Sequence, residues 1–380
     1  MFTVEMLPAS LGDSLWIEYG DPDRPNRVLI DGGLVGTLDV IEQRIREVAE
    51  KEGGRCRLEL LVLSHVDADH IEGLIKLLGR KGLPVEIEDL WFNGRRHLPG
   101  PDGASDDDFL GARQGEFLAA LIRERGVVWN QAFAGKTVYV PSADKGPLPR
   151  RTLPGGMELI VVSPTFKELL SLSSRWEQEL EDAGLLHATH EELLEALRED
   201  RKLAPDDDFL SDEEIDVKEL VAPTARHDSS LANGSSIAFV AHFEGKRCLF
   251  AGDAHWEVLR DSAERLAREE GQPRLALDAF KVPHHGSRSN ISDALLSVLD
   301  CRRFLISTDG SRFRHPDREA IARLVGGSWR PDPGGDQPVD VLFNYRTKVN
   351  QKWDDAQLRQ TWNYVPIYPE EGRQGLVVEL

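Results

Sequence analysis

The three cysteines of this 380-residue chain, Cys56, Cys248 and Cys301, lie far apart and in no paired spacing. They are too few and too scattered for a disulfide framework or a cysteine zinc site, and they read as small buried hydrophobes. No apolar run approaches the roughly 20 residues that a bilayer-crossing helix needs. The opening MFTVEMLPASLGDSL lacks the basic-then-apolar layout of a signal peptide. The expectation is a cytoplasmic chain without membrane contact. Positive charge is also scarce: 46 Lys and Arg against 66 Asp and Glu give a net charge of −20. Such a field repels polyanions at long range and weighs against a protein whose whole surface grips nucleic acid. A local site survives this objection, because bound divalent cations reverse the sign of the field where they sit. There is no internal repeat, and no low-complexity tract beyond one acidic stretch.

What is present is a full core's worth of apolar residues, 40% of the chain, in an order of short strands and helices. FTVEML, SLWIEY and RVLIDGG read as strands, and Val40, Ile41, Ile45 and Val48 give Leu38 to Lys51 helical spacing. LELLVLSH is a continuous apolar strand of the kind buried on both faces, and a helix marked by Ile71, Leu74, Ile75, Leu77 and Leu78 starts near Asp69 or His70. After Asn93 comes a surface loop, RRHLPGPDGASDDDF, and then a helix from about Gly111 to Glu124. Strands at TVYV and MELIVVSP follow, with helical segments around 165 to 183 and 189 to 198. Between Glu195 and Glu219, eleven acidic residues face four basic ones, the pattern of a solvated linker. Order returns with the strand pair SSIAFVAHF and RCLFAGD, a helix from Trp256 to Ala267, the strand DAFKVPHHG, a helix near 290 to 299, the strand RRFLIST and a helix from Pro316 to Leu324. Two strand-rich halves with helices are thus separated by an insertion of roughly 130 residues, well beyond ordinary loop length.

The chemistry is concentrated at strand ends. LVLSHVDADHIEGL places His65, Asp67, Asp69 and His70 in one strand-to-helix loop, a mixed oxygen and nitrogen donor set suited to zinc, manganese or iron. CLFAGDAH adds Asp253 and His255, and FKVPHHGS adds His284 and His285. A lone Gly-Asp after a strand is more often a turn. Three such strand ends form one site if the strands run side by side, because ligands in α/β structures gather beyond strand carboxyl ends.

His65-x-Asp67-x-Asp69-His70, Gly252-Asp253 and Pro283-His284-His285-Gly286-Ser287 resemble the metallo-β-lactamase fold. The branch is similar to the soluble nuclease domain of ComEC-type DNA-uptake channel proteins, which has Asp where most of the superfamily has a second His, as at Asp67. Leu11-Gly12-Asp13-Ser14, Ile30-Asp31-Gly32-Gly33, Asn233-Gly234-Ser235-Ser236-Ile237 and His315-Pro316 extend the resemblance over about 1 to 90 and 225 to 330. It implies an α/β (α+β), four-layer αββα sandwich with a large insertion. Its halves would be 1–92 and 225–330, the insertion 93–224, and 331–380 strands and a tail completing the core. It also implies two divalent metal ions, zinc or manganese. His65 and Asp67 would hold the first, Asp69, His70 and His285 the second, and Asp253 would bridge them. His285 is preferred to His284, which stands as a ligand in reserve or a supporting group. The histidine that usually precedes the bridging aspartate is missing, with Asn233 nearest its place and His227 and Asp228 as rivals. Asp31 and Asp13 are expected to orient loops by hydrogen bonds.

The expected activity is phosphodiester hydrolysis of DNA or RNA by a metal-activated water, with Asp69 accepting a proton and His315 donating to the leaving group. Lys281 reads as a solvated strand residue, with donation to the leaving group or phosphate binding as the alternative if its side chain reaches the edge. Ser287 to Asn290 could receive a phosphate at a helix start, or Ser289 or Asn290 could simply cap that helix. The alternatives are a small-molecule hydrolase of the same fold, acting on an ester, lactam or cyclic nucleotide, and a metal-stabilised interaction module. Trp91, Phe92, Trp129 and Phe133 are offered as a pocket lining or as core. A regulatory protein partner acting through the insertion is a further expectation, as is an acidic Asp206 to Glu219 segment lying over the groove as a phosphate mimic.

Overall fold

Side-chain alternation along two neighbouring strands sets the layering. In the parallel pair Arg24–Ile30 and Leu60–Val62, Val28, Ile30, Leu60 and Val62 enter one apolar cluster, while Leu29, Leu61 and Leu63 enter another. A period of two sends successive residues to opposite faces, so a strand that is apolar throughout needs cover on both sides. The computed structural model describes residues 1–99, 111–193, 215–221, 227–330 and 337–380. It provides that cover with a second sheet on one side and helices on the other.

The first sheet has six strands in the order Leu376–Glu379, Phe2–Met6, Leu15–Asp21, Arg24–Ile30, Leu60–Val62, Leu90–Trp91. The second has eight: Tyr364–Ile367, Val339–Phe343, Arg303–Ile306, Ala279–Lys281, Lys246–Phe250, Ala238–Phe243, Glu158–Ser163, Arg150–Thr152. One cluster joins Val4, Ile17 and Val28 of the first sheet to Phe239, Leu249 and Phe280 of the second. It continues to Leu259, Leu266, Ile321 and Leu324 on the helices Trp256–Glu269 and Arg318–Gly326. The other packs Trp16, Leu29 and Leu61 against Ile41 and Ile45 of Leu38–Lys51 and Ile71 and Leu74 of Ala68–Gly79. Helix, sheet, sheet and helix give the αββα sandwich.

Described segments between residues 111 and 182 are woven into both layers. Glu158–Ser163 and Arg150–Thr152 form one edge of the second sheet, and Phe117, Leu121 and Trp176 from Gly111–Arg125 and Phe166–Asp182 thicken the helix layer of the first. Trp91 and Phe92 are fully buried, so they are core. Trp129 stacks on Phe92 and has Arg96 3.9 Å over its ring, beside a cavity of about 400 Å³. After residue 336, Val339–Phe343 and Tyr364–Ile367 extend the second sheet and Leu376–Glu379 the first.

Several local expectations need correction. TVYV makes only an isolated bridge, Val140 with Thr165, rather than a strand. The helix near 290 to 299 shrinks to Asp293–Ser297, and its cap is Ser292, whose hydroxyl accepts from Leu295 N, not Ser289 or Asn290. Most of the 189 to 198 helix, the Asp-rich loop after Gly100 and Asp206 to Asp208 lie outside the described residues; of the acidic stretch, Val217–Val221 is a short helix. Among the described residues no helix is long and apolar enough to cross a membrane.

Candidate metal centre

Parallel strands bring the motifs to one edge. Asp31 follows Arg24–Ile30, the His65 to His70 loop follows Leu60–Val62, Asp253 follows Lys246–Phe250, and His284 and His285 follow Ala279–Lys281. Gly12 lets the first loop close over this edge: a Cβ there would lie 1.7 Å from the Asp69 carbonyl oxygen.

A buried hydrogen-bond chain fixes two imidazoles. Asp31 accepts from Ser64 N at 2.7 Å, from Ser64 Oγ at 2.7 Å and from His70 Nδ1 at 2.8 Å. With its hydroxyl hydrogen committed to Asp31, Ser64 Oγ accepts from His65 Nδ1 at 3.0 Å. Both rings therefore carry their proton on Nδ1, and both Nε2 lone pairs face the edge. His285 is set in the same way, donating Nδ1 to the Ser307 carbonyl at 2.9 Å. His284 Nδ1 lies 3.0 Å from Asn290 Oδ1 and 3.2 Å from Asp228 Oδ2.

These nitrogens converge on Asp253. His70 Nε2 is 3.5 Å from Asp253 Oδ1, while Nε2 of His285, His65 and His284 lie 3.7, 3.8 and 3.9 Å from Oδ2. Asp67 is 3.5 Å from His65 Nε2, and Asp69 is 3.4 Å from His285 Nε2. His70 and His285 turn Nε2 towards each other at 3.3 Å. Two lone pairs at that distance repel unless a proton or a cation lies between them. Buried His65 Nε2 and Asp253 Oδ1 have no hydrogen-bond partner among the described residues. Orphaned donors of this kind, in a mixed nitrogen and oxygen set, fit divalent cations. His65, His70 and Asp253, and Asp69, His70 and His285, each bring three ligand atoms within 4.8 Å of one another.

The electrostatics agree. Burial would raise the Asp253 carboxyl, but His285, His70 and His284 hold it well below its ordinary value. Asp69 is lowered likewise, against burial, by His70 and His285. Burial pushes His70 and His285 down, yet the carboxylates led by Asp253 win: His70 titrates well above its usual value and His285 is held up to about 10. Protons and cations compete for the same nitrogens.

All six residues expected to face the ions meet here. Of the groups near the missing histidine, Asp228 joins the cluster, whereas exposed His227 pairs with Glu257. Asn233 donates to Asp228 at 2.7 Å, with its own Oδ1 buried and unpartnered among the described residues. His255 is turned away, bonded to the Ser230 carbonyl at 3.0 Å. His315 stands one ring outside, its centroid 5.3 Å from that of His284. Arg288 pairs with Glu319 at 2.8 Å, and Asn290 is buried, donating to Asp228 at 2.9 Å. Lys281 is not solvated: it is fully buried and bonded to Asp13. Ser64 and the Ser307 carbonyl were not foreseen. A serine beside a histidine carries a weak signal, and a backbone acceptor carries none.

A family model described as "Metallo-beta-lactamase superfamily" matches residues 26–310. Among solved structures, the chain is similar to the metallo-beta-lactamase fold protein YhfI from Bacillus subtilis, at 9% identity over 99% of this chain and 98% of that one, with a TM-score of 0.39. Human tRNase Z, short form, gives the same identity, coverage and TM-score. Zn(2+)-bound PqqB from Methylobacterium extorquens is 13% identical over 100% of both chains, with a TM-score of 0.38. None of the curated proteins compared matches the chain.

Proposed function

The chain belongs to the metallo-beta-lactamase superfamily, and on that premise we propose that it is a metal-dependent phosphodiesterase acting on DNA or RNA. The observation that carries this reading is the convergence of four imidazole nitrogens on one ionised carboxylate, Asp253, flanked by the oxygen donors Asp67 and Asp69. Such a mixed donor set, with three carboxylates beside the imidazoles, suits divalent-cation chemistry on phosphate. The motif resemblance to the nuclease domain of ComEC-type proteins supports the same choice.

In this reading His65 and Asp67 would hold one ion and Asp69, His70 and His285 the other, with Asp253 available to both. His284 is suited to complete the first group where the expected histidine is missing, since its Nδ1 is engaged and its Nε2 faces Asp253. Zinc or manganese is the expected metal. Bound there, the pair supplies Lewis acidity that makes water more acidic and offsets charge building on substrate oxygens. Asp69, ionised at neutral pH, would accept a proton, and His315, whose ring neighbours that of His284, would give one to the leaving oxygen.

The test is cleavage of labelled single- and double-stranded DNA and RNA with added manganese, zinc or magnesium, comparing wild type with Asp253→Asn. Metal-dependent cutting that disappears in the variant is expected. A variant that cuts like wild type would sink the assignment of the centre. A metal-loaded wild type that cuts none of the four polymers would turn the reading to small esters or cyclic nucleotides.

A further inference from the structure

Four rings follow one another from the surface to the centre. The Phe313 and His315 centroids are 6.2 Å apart, those of His315 and His284 5.3 Å, and those of His284 and His285 6.0 Å. The outermost ring, Phe313, is 57% exposed. Phe166, the other exposed phenylalanine among the described residues, sets its ring against Tyr139, whereas the ring and cation contacts of Phe313 among the described residues are with Arg312 and a histidine of the site's rim.

This exposure is built into the loop. Asp309 N donates to the Ser10 carbonyl at 2.8 Å, Gly310 N to Thr308 Oγ1 at 3.1 Å, and Ser311 N to Asp309 Oδ1 at 2.9 Å. Gly310, at φ +68, leaves no room for a side chain, because a Cβ would lie 2.8 Å from the His315 carbonyl oxygen. The loop is folded tightly on itself and holds Phe313 outward.

Arginines precede and follow Phe313 in the chain. Arg312 lies 5.1 Å over the ring, and neither Arg312 nor Arg314 has a hydrogen bond or ion pair among the described residues. Neighbouring Arg288, by contrast, is paired with Glu319. In a chain of net charge −20, two arginines next to an exposed ring in sequence, neither ion-paired among the described residues, form a local attraction at the rim of the site that the rest of the surface opposes.

We propose that Arg312, Phe313 and Arg314 are an entry platform for unpaired nucleotides. A base stacks on Phe313 and the guanidiniums take the adjoining phosphates, leading the strand past His315 to the centre. Every base has a π face, so stacking of this kind is indifferent to sequence, and the guanidinium fork matches phosphate oxygens. Bases in a duplex already have both faces covered, which makes a single strand the substrate. The platform rests on the phosphodiesterase reading and narrows it.

The test is fluorescence anisotropy with the full chain carrying Asp253→Asn, so that bound strands are not cut. Its probes are single-stranded DNA, single-stranded RNA and a same-length abasic strand. Base-bearing strands are expected to bind on the order of 10-fold tighter than the abasic one. Adding Phe313→Ala should erase that difference and Phe313→Trp should keep it. Arg314→Gln should flatten the dependence of log affinity on log salt by about 0.7. The DNA and RNA arms decide which sugar the platform favours. Full preference retained in Phe313→Ala, or no preference in the parent, would overturn the platform and leave the phosphodiesterase reading standing. No binding to any strand, with no cleavage by wild type, would remove both.

Discussion

Lys281 Nζ donates to Asp13 Oδ2 at 2.6 Å, and neither side chain reaches solvent. Asp13 Oδ1 in turn lies 3.5 Å from His285 Nδ1. A lysine from the second sheet and a carboxylate from the loop after Phe2–Met6 are thus locked behind one imidazole of the centre. Burial would raise the Asp13 carboxyl, but Lys281 and His285 bring it down to about 2.

Removing one partner of a buried pair leaves the other charged and alone. Lys281→Met should destabilise the protein by about 3–5 kcal/mol. Adding Asp13→Leu should recover part of that loss. Urea unfolding reads both; an unchanged midpoint in Lys281→Met would show that the pair contributes nothing net.

Asp31 sets the tautomers of His70 directly and of His65 through Ser64. Asp31→Ala should lower metal affinity on the order of 10- to 100-fold. Competition against a chelating dye measures the affinity, and circular dichroism checks that the fold persists. Wild-type affinity in a folded variant would contradict the role given to this carboxylate.

Gly12 faces the backbone carbonyl of Asp69, a neighbour that cannot rotate away. Gly12→Ala should cost about 1–3 kcal/mol of stability and reduce bound metal, because relief requires shifting the ligand loop itself. Melting temperature and metal content should fall together; a stable variant with full metal content would mean that the loops separate freely.

His285 is held up to about 10 in the folded chain against an ordinary 6.5, and His70 shifts the same way. A raised folded pKa means that the native chain keeps protons that the unfolded chain has released. The associated stability is complete below about pH 6.5 and is lost as pH rises through about 10. Chelator-treated protein should therefore show a urea midpoint that falls across this window. Cation uptake in the same window should expel protons and tighten with rising pH. Calorimetry in two buffers of different ionisation heat counts those protons, and none released near neutral pH would refute the competition.

The alternating apolar strands, the amphipathic helices and the ligand residues clustered at strand ends were legible in the sequence because each is a local pattern. Leu60 to Leu63 read as a strand buried on both faces without reference to any distant residue, and His65 to His70 as a metal loop once two further strand ends carried ligand-type residues. Lys281 was misread for the opposite reason. Within DAFKVP its side chain looks like a polar exception facing water, and only the loop carrying Asp13 makes its burial tolerable. His284 and His285 are adjacent in sequence, yet separate contacts orient them, Asp228 and Asn290 for one and the Ser307 carbonyl for the other. TVYV has β-propensity, but a strand also needs a partner along its length, and Val140 finds one only at Thr165.

The sequence by itself determined the strands, the helices and the ligand-type residues at strand ends, since side-chain period and chemistry belong to each residue, while the four-layer arrangement came from the family resemblance. Tertiary structure decided which donors meet, which way most of the imidazoles turn their lone pairs, and that Phe313 stands beyond His315 at the rim. Residues as far apart as His70 and His285, or Ser10 and Asp309, meet through contacts that no local pattern encodes.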